Sequence, residues 1–217
     1  MAEHRTTEDA LREEYFDLLS DIRRTLLETE TRVRSALLAI SLNLRRYERL
    51  IVTSRAKECD SAIDALRRRQ PLALFDPEKA EEYSLTQLRD LAAVRVMVFP
   101  QERLEETQGT LQAALTGWSA DPIPGISETD PPLAFKYYGK WIYDARITAE
   151  VQIVPLLVGL FWEVEHSAIY KPSPNLRGVV RSEAVLARRN DVLVALRSFE
   201  NEFESAIRES ESTNEEP

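Results

Sequence analysis

The sequence predicts an α+β domain in which amphipathic helices at both ends flank a set of strands. Three patterns support this prediction. The nearly continuous apolar run over 93–99 is typical of a central strand buried on both faces. Residues 150–153 alternate polar and apolar side chains, as in a half-buried strand. Apolar side chains recur at helical spacing over 7–27 and, with interruptions, over 175–210.

Length and composition are those of a globular protein. The chain has 217 residues, of which 43% are hydrophobic and 30% charged. A chain of this length buries enough apolar surface to fold without disulfides or metal. We therefore assign 1–210 to a single domain, with helical extensions at 7–47 and 175–210, and 211–217 to a disordered acidic tail.

Composition also excludes several functional classes. The sequence contains no run of roughly eighteen apolar residues, and residues 1–5 lack the apolar core of a signal peptide, so we expect a cytoplasmic protein without a membrane partner. The net charge of −9 argues against general binding to the phosphate backbone of nucleic acid. One cysteine and two histidines cannot build a thiolate or imidazole cluster, so any metal would be a hard ion held by carboxylates and phosphates.

The first half of the chain alternates helices and strands. It is predicted to contain an antiparallel pair of helices over 7–27 and 29–47, a short strand over 50–53, a helix over 59–69 and the buried strand over 93–99.

The second half is richer in strands. It is predicted to contain a helix over 101–116, a long loop or irregular lid over 118–132, and aromatic-rich strands over 133–138 and 140–147 joined near Gly139. These are followed by a strand over 150–154, a helix with Pro155 in its first turn, and a terminal helix or helix pair over 175–210. The aromatic side chains either stack on a base or cover the sheet. Apolar surface that the terminal helix leaves uncovered would suit a partner subunit.

Charged residues occur where these strands begin or end. Arg55 and Lys57 lie at a strand-to-helix junction, which can present cations and backbone donors to an anion; a solvated basic helix is the alternative, and spacing does not separate the two. Asp90 and Arg95 flank the start of the buried strand, where a charge needs a partner or a ligand. Glu150, on an open strand face, is either a metal-binding or proton-accepting group or a solvated side chain.

Together these fragments resemble the synthetase domain of the RelA/SpoT family, and the length is similar to that of a small alarmone synthetase. The resemblance covers a core at 50–171. It rests on the motifs Arg55-x-Lys57-x-x-x-Ser61, Asp90-x-x-x-x-Arg95, Glu150-x-Gln152, and Trp162-x-x-Glu165-His166 followed by Tyr170-Lys171.

The resemblance implies a mixed sheet flanked by helices, related to nucleotidyltransferases. It also implies an enzyme that transfers the β,γ-pyrophosphate of ATP to the ribose 3′-hydroxyl of GDP or GTP. Carried over by position, Asp90 and Glu150 would hold Mg²⁺, and Glu150 would also accept the proton of the attacking hydroxyl. Two carboxylates and a hard ion suit this chemistry, because the ion neutralises charge on phosphate oxygens.

The same resemblance assigns the nucleotide-binding residues. Arg55 and Arg95 would flank the adenine of ATP, while Lys57 and Ser61 would contact its phosphates. For the acceptor nucleotide the assigned residues are Phe135, Gln152 and His166.

Three departures from the family pattern concern the substrate sites. Ala65 stands where the family has a lysine, and Val154-Pro155 stands where it has Arg-Thr. The acceptor loop usually reads Gly-Tyr-x-Ser-x-His, whereas residues 134–139 read Ala-Phe-Lys-Tyr-Tyr-Gly. The donor and metal sites therefore match the family better than the acceptor site does.

These departures leave three hypotheses. The first is a pyrophosphokinase with GDP or GTP as acceptor. The second keeps the reaction but uses an adenine nucleotide or a tRNA 3′ end, as in toxin-like relatives, and would add an antitoxin protein as partner. The third is a nucleotide-binding regulatory module without turnover.

Overall fold

The computed structural model describes residues 6–125, 132–141, 144–165 and 183–214. Short 3-10 turns lie between α3 and β2. The helices are α1 (Thr7–Ala36), α2 (Leu38–Leu42), α3 (Cys59–Arg67), α4 (Arg103–Ala114), α5 (Leu156–Glu165) and α6 (Glu183–Asn214). The strands are β1 (Arg49–Ala56), β2 (Ala92–Phe99), β3 (Ser119–Ile123), β4 (Ala134–Trp141) and β5 (Asp144–Pro155).

The five strands form one mixed sheet in the order β1-β2-β5-β4-β3. Strands β2 and β5 are parallel, and the other neighbouring strands are antiparallel. Strand β2 is buried along its length except at Arg95 and Phe99, as the apolar run predicted. The predicted α+β class, with a mixed sheet flanked by helices, is confirmed.

One face of the sheet, which we call the helix face, is covered by α1, α3 and α4. Alternate residues of β2 and β5 point to this face and pack against the apolar stripes of these helices. The core residues on this face include Ile22, Val33, Leu66, Val94, Val96, Leu111, Val151 and Ile153, all at most 1% exposed.

The opposite face, which we call the cleft face, is only partly covered. Helices α5 and α6 lie over one end of it, where Met97, Val154, Val158 and Leu193 form a small apolar cluster. The remaining part of this face is lined by polar side chains of four strands, and it is the wall of the cleft described below.

The expectation of an antiparallel helical pair at the amino terminus is wrong. Residues 7–36 form one continuous helix, and α2 only extends it after Leu37. Thr6 and Asp9 form a capping box at the start of α1, with Asp9 N–H donating to Thr6 Oγ1 at 3.2 Å. The buried stripe of α1 runs without interruption from Leu11 to Val33, so the long helix packs along the whole sheet.

Three strand predictions also need correction. Residues 119–123, predicted as part of a loop or lid, form β3 and pair with β4; residues 126–131 lie outside the described residues. Strand β4 continues through Gly139 to Trp141, so the connection to β5 comes at 142–143. Pro155 is the last residue of β5, and the following helix begins at Leu156.

Within the segment predicted as a terminal helix or helix pair, residues 183–214 form one long helix, and residues 175–182 lie outside the described residues. This helix includes residues 211–214, which we had placed in a disordered tail, and residues 215–217 lie outside the described residues.

Gly139 allows β4 to pass directly beneath an indole ring. A Cβ at this position would lie 2.2 Å from Trp118 Cδ2, which is far inside van der Waals contact. We expect Gly139→Ala to lower the free energy of unfolding by about 1–3 kcal/mol, because the ring must shift. Urea unfolding at constant m value measures this change.

Gly109→Ala is the matched control for this substitution. Gly109 lies on the exposed side of α4, and a Cβ there meets nothing within 4 Å. Alanine should therefore stabilise the protein by roughly 0.5–1 kcal/mol. Equal effects of the two substitutions would contradict the proposed contact with Trp118.

Helix α6 places one carboxylate in the core. Glu200 is 1% exposed, and among the described residues no group makes a hydrogen bond of normal geometry to either of its carboxylate oxygens. Burial, with a smaller contribution from Glu204, raises the pKa of Glu200 to about 7, although the backbone N–H of Leu157 partly offsets this. The ionised form of Glu200 is therefore unfavourable in the folded state.

This burial predicts a pH-dependent stability. The unfolded chain ionises Glu200 at lower pH than the folded chain does, so stability falls as the pH rises through the interval from about 4.5 to 7, and above this interval the penalty has its full size. Glu200→Gln removes the penalty and should stabilise the protein by roughly 3 kcal/mol at pH 8. Thermal unfolding at pH 5 should show a much smaller gain. The exposed Glu202→Gln should show no such pH-dependent difference; if it does, the effect is not specific to Glu200.

Candidate active site

The register of the sheet places polar residues of four strands in two rows on the cleft face. Side chains of directly paired residues point to the same face, and residues two apart along a strand share that face. One row crosses the sheet from Arg55 through Ala93 and Glu150 to Tyr138. The second row crosses it from Thr53 through Arg95 and Gln152 to Lys136.

Above these rows lies a cleft of about 670 Å³, a volume within the range of small-molecule sites. Its floor is the cleft face, and α5 and α6 contribute Trp162, Glu163, Glu165 and Arg189 to its wall. Arg189 of α6 is paired with Glu165 of α5, so the carboxyl-terminal helix is fixed to the helix that follows β5.

Glu150 lies at the centre of the first row and is nearly buried. Lys136 Nζ is 3.6 Å from its Oε2 atom. The Tyr138 hydroxyl donates to the same carboxylate, and burial together with this negative charge raises the pKa of Tyr138, so the phenol stays protonated. The Arg89 guanidinium lies 4.8 Å from the centre of the Tyr138 ring. Glu150 therefore has a hydrogen-bond donor and a cation on the β4 side.

Arg95 lies beside Glu150 on the other side of β5. Its Nε donates to Gln152 Oε1 at 2.8 Å, and its NH1 donates to Glu163 Oε1 at 3.3 Å. Burial lowers the pKa of Arg95, and the nearby positive charge of Arg55 acts in the same direction, while Glu163 opposes both. The guanidinium stays charged, because an arginine is not deprotonated in a protein.

Lys57 and Asp90 form an ion pair at the edge of the site. Lys57 follows β1, Asp90 precedes β2, and the Lys57 N–H donates to the Leu91 carbonyl at 2.8 Å, which joins the two segments. The ammonium of Lys57 is paired with the Asp90 carboxylate. Burial lowers the pKa of Lys57, whereas the negative charges of Asp90 and Glu150 raise it, so one ammonium lies under the influence of both carboxylates.

The structure brings most of the predicted site residues together. Arg55, Arg95, Glu150 and Gln152 all line the cleft. Lys57 and Asp90 do not line it but lie next to it, since Glu150 and Arg55 both influence the pKa of Lys57.

Three assigned residues remain. Ser61 and Phe135 do not line the cleft, and His166 cannot be compared. Ser61 is in the first turn of α3 and is not among the residues that line the cleft. Phe135 is corrected, because it pairs with Ile153 and packs against the core of the helix face, on the opposite side of the sheet from Glu150. His166 lies outside the described residues.

Sequence reasoning missed Lys136 and Tyr138, which lie beside Glu150, and it also missed Arg189, which lines the cleft. A signal for the first two was present. The alternation of β4 relative to β5 places Lys136 and Tyr138 on one face and Phe135 and Tyr137 on the other, once the pairing register is known. Arg189 is far along the chain and had no such signal.

The carboxylates present suit Mg²⁺ shared with a substrate. No group of three or more His, Cys, Asp or Glu side chains that could hold a metal occurs within 6–125, 132–141, 144–165 and 183–214. Mg²⁺ is usually held by one or two carboxylates together with substrate phosphates and water. Asp90 and Glu150 are the two carboxylates that would supply such oxygen ligands, and the cations beside them would favour phosphate.

Several solved structures share this fold. One is small alarmone synthetase 1 from Bacillus subtilis bound to its product pppGpp, with a TM-score of 0.65, 20% identity, and coverage of 91% of this chain and 98% of that one. The same protein bound to AMPCPP gives a TM-score of 0.61 at 18% identity, covering 91% and 99%. A GTP pyrophosphokinase family protein from Streptococcus pneumoniae gives 0.58 at 21% identity, covering 91% and 96%.

The chain therefore has the fold of a small alarmone synthetase, as the sequence resemblance predicted. No protein-family model and no curated protein matches the sequence. Among the helices of the described residues, none is both long enough and apolar enough to cross a membrane.

Proposed function

We propose that this protein is an ATP-dependent pyrophosphokinase that transfers the β,γ-pyrophosphate of ATP to the ribose 3′-hydroxyl of GDP or GTP. The observation that carries the proposal is the position of Glu150, a nearly buried carboxylate between arginines on the β1 and β2 side and Lys136 on the β4 side. A carboxylate so placed can accept a proton between two phosphate-bearing substrates.

The donor half of the cleft is built by β1 and β2. Arg55 and Arg95 are diagonal neighbours on these strands, and both line the cleft. A guanidinium stacks on a purine ring and also binds phosphate, so the pair suits ATP. Lys57 supplies a further ammonium beside Arg55 for the phosphates. The AMPCPP complex of the Bacillus subtilis protein supports an adenine nucleotide as donor.

The acceptor half is built by β4. Gln152 and Lys136 lie on the same row, and Lys136 would bind the acceptor phosphates while its ammonium stays close to Glu150. Tyr138 holds the Glu150 carboxylate by a hydrogen bond and so fixes its position for proton transfer. The pppGpp complex of the same relative supports a guanine nucleotide as acceptor.

Asp90 and Glu150 would hold Mg²⁺ together with the phosphates of ATP. The ion would neutralise charge on phosphate oxygens during in-line transfer. If Asp90 bound the metal, the ammonium of Lys57 would lose its present partner and could bind the phosphates of ATP instead.

The proposal is tested by a transfer assay with radiolabelled ATP and a panel of acceptors: GDP, GTP, AMP, ADP and tRNA. We expect a 3′-pyrophosphorylated guanine nucleotide, and we expect Glu150→Gln to lower the rate by about 10²- to 10⁴-fold, because the proton acceptor is lost. Thin-layer chromatography separates the products. Glu105→Gln, which changes an exposed residue of α4, should leave the rate unchanged.

The panel also separates the alternatives. Labelling only of AMP, ADP or tRNA would show that the acceptor is an adenine nucleotide or a tRNA 3′ end. This outcome is worth testing because Phe135, the residue assigned to stack on guanine, packs against the helix face and not in the cleft. ATP binding without labelling of any acceptor would contradict the proposal and support a regulatory nucleotide-binding module.

Lys136 should distinguish the two halves of the cleft. We expect Lys136→Met to raise the KM for the acceptor by about tenfold or more, since a charge-assisted contact with phosphate is removed, and to leave the KM for ATP unchanged. Lys136→Arg should restore part of the effect. Steady-state kinetics with each substrate varied in turn measures both constants.

Lys79→Met is the control, because Lys79 is exposed on a 3-10 turn away from the cleft. An increase in the KM for ATP alone after Lys136→Met would place the donor on the β4 side and would overturn this assignment of the two halves.

A further inference from the structure

A second cavity lies at the other edge of the molecule, where α1, the turn after α4 and the end of β4 meet. Its volume is about 330 Å³, and its walls include Arg32, Gly117, Trp118, Lys140 and Trp141. Both indoles pack against the core of the helix face, so this cavity is separate from the cleft. We call it the tryptophan pocket.

The two rings of the tryptophan pocket are held in place by specific contacts. Trp141 Nε1 donates to Thr29 Oγ1 at 2.8 Å, and this hydroxyl in turn donates to the Thr25 carbonyl at 2.6 Å. Trp118 lies directly against Gly139, as described above. The ring centres of the two tryptophans are 4.9 Å apart, with 53° between the ring planes. The aromatic surface is thus fixed before any ligand binds, which lowers the entropic cost of binding.

The charge of this pocket is unusual for the molecule. Arg32 and Lys140 line it, and no carboxylate does so among the residues that the structure describes. By contrast, the cleft is lined by Glu150, Glu163 and Glu165. In a chain with 37 acidic residues and a net charge of −9, a cavity lined only by cations, aromatic rings and small residues is suited to an anion.

Arg32 can bind an anion without losing its present contacts. Its guanidinium lies 4.5 Å from the centre of the Trp141 ring, and its Nε donates to Glu28 Oε1 at 2.6 Å. The pair with Glu28 joins two side chains that are 50% and 39% exposed, so it is weak. A guanidinium has five N–H donors, and those beyond Nε remain able to meet phosphate oxygens.

From these features we infer that the tryptophan pocket binds a free mononucleotide. Its base packs against the Trp118 indole, beside the Trp141 ring that Arg32 covers, and its phosphate contacts Arg32 and Lys140. Stacking on aromatic rings accommodates any base, while the cations select for phosphate. The volume is at the lower end of the range for small-molecule sites, which suits one nucleotide. The site is independent of the proposed transfer reaction.

Tryptophan fluorescence gives a direct test. The chain has three tryptophans, and Trp162→Phe removes the one in the cleft, leaving Trp118 and Trp141 as reporters. Titration with AMP and GMP should quench the fluorescence to saturation. The double variant Arg32→Gln/Lys140→Gln in the same background should weaken this binding by about tenfold or more. Arg24→Gln, which removes another exposed charge from α1, should not.

Further titrations separate the contribution of base stacking from that of the phosphate contacts. Quenching should persist in Arg55→Gln/Arg95→Gln, which alters only the cleft. Binding of tripolyphosphate as tightly as GMP would overturn the stacking part of the inference, and binding of guanosine as tightly as GMP would overturn the phosphate part. Absence of quenching, or quenching unchanged by Arg32→Gln/Lys140→Gln, would overturn the whole inference. The single variant Lys140→Gln answers the same question if the double variant does not fold.

Transfer activity measured on the protein that retains Trp162, Arg55 and Arg95 keeps this result apart from the proposed function, because these three residues line the cleft. Quenching that depends on Arg32 and Lys140 in a protein without transfer activity would support the pocket and contradict the proposed function. Transfer activity without such quenching would support the proposed function and contradict nucleotide binding in the tryptophan pocket.

Discussion

The parallel pairing of β2 with β5 is the constraint on which the candidate site depends. It places Ala93 opposite Glu150 and Arg95 opposite Gln152, so a carboxylate and a guanidinium from distant parts of the chain share one face. A shift of this register by one residue would turn Glu150 and Gln152 toward the helix face, where Val151 and Ile153 now pack. The apolar residues that fill that face therefore fix the position of the polar residues on the other.

Around this pair of strands, cations of the site form ion pairs with carboxylates. Substrate phosphates would take the place of these carboxylates. Lys57 is paired with Asp90, Arg95 with Glu163, and Arg189 with Glu165. Burial lowers the pKa of both Lys57 and Arg95, which shows that the site disfavours unpaired cations. Phosphate groups would compensate these cations as the carboxylates do now. A partly desolvated site also strengthens each electrostatic contact with a charged ligand.

Much of the fold could be predicted from the sequence, because hydrophobic periodicity reports burial. The run over 93–99 identified the central strand, and the alternation at 150–153 identified its neighbour. Periodicity failed where local signals were ambiguous. Residues 29–36 continue the stripe of α1 instead of starting a second helix, and β3 is a short edge strand that contains Pro122 and looked like a loop.

The site was predicted less completely than the fold, for a reason of geometry. Motif spacing identified Arg55, Arg95, Glu150 and Gln152, each of which lies on β1, β2 or β5 and faces the cleft. Phe135 was assigned by its distance along the chain from Glu150, which does not specify the face of a strand. The register shows that Lys136 and Tyr138 have the orientation that Phe135 lacks. Arg189 enters through the packing of α6 on α5, which no local pattern encodes.

We propose that the cleft face has a donor half and an acceptor half on either side of Glu150. A crystal structure of the protein with a non-hydrolysable ATP analogue, GDP and Mg²⁺ tests this arrangement most directly. We expect the analogue's phosphates beside Arg55 and Lys57, the GDP phosphates beside Lys136, and the ribose 3′-hydroxyl within hydrogen-bond distance of Glu150. Both nucleotides on one side of β5, or either of them bound away from the cleft face, would contradict it.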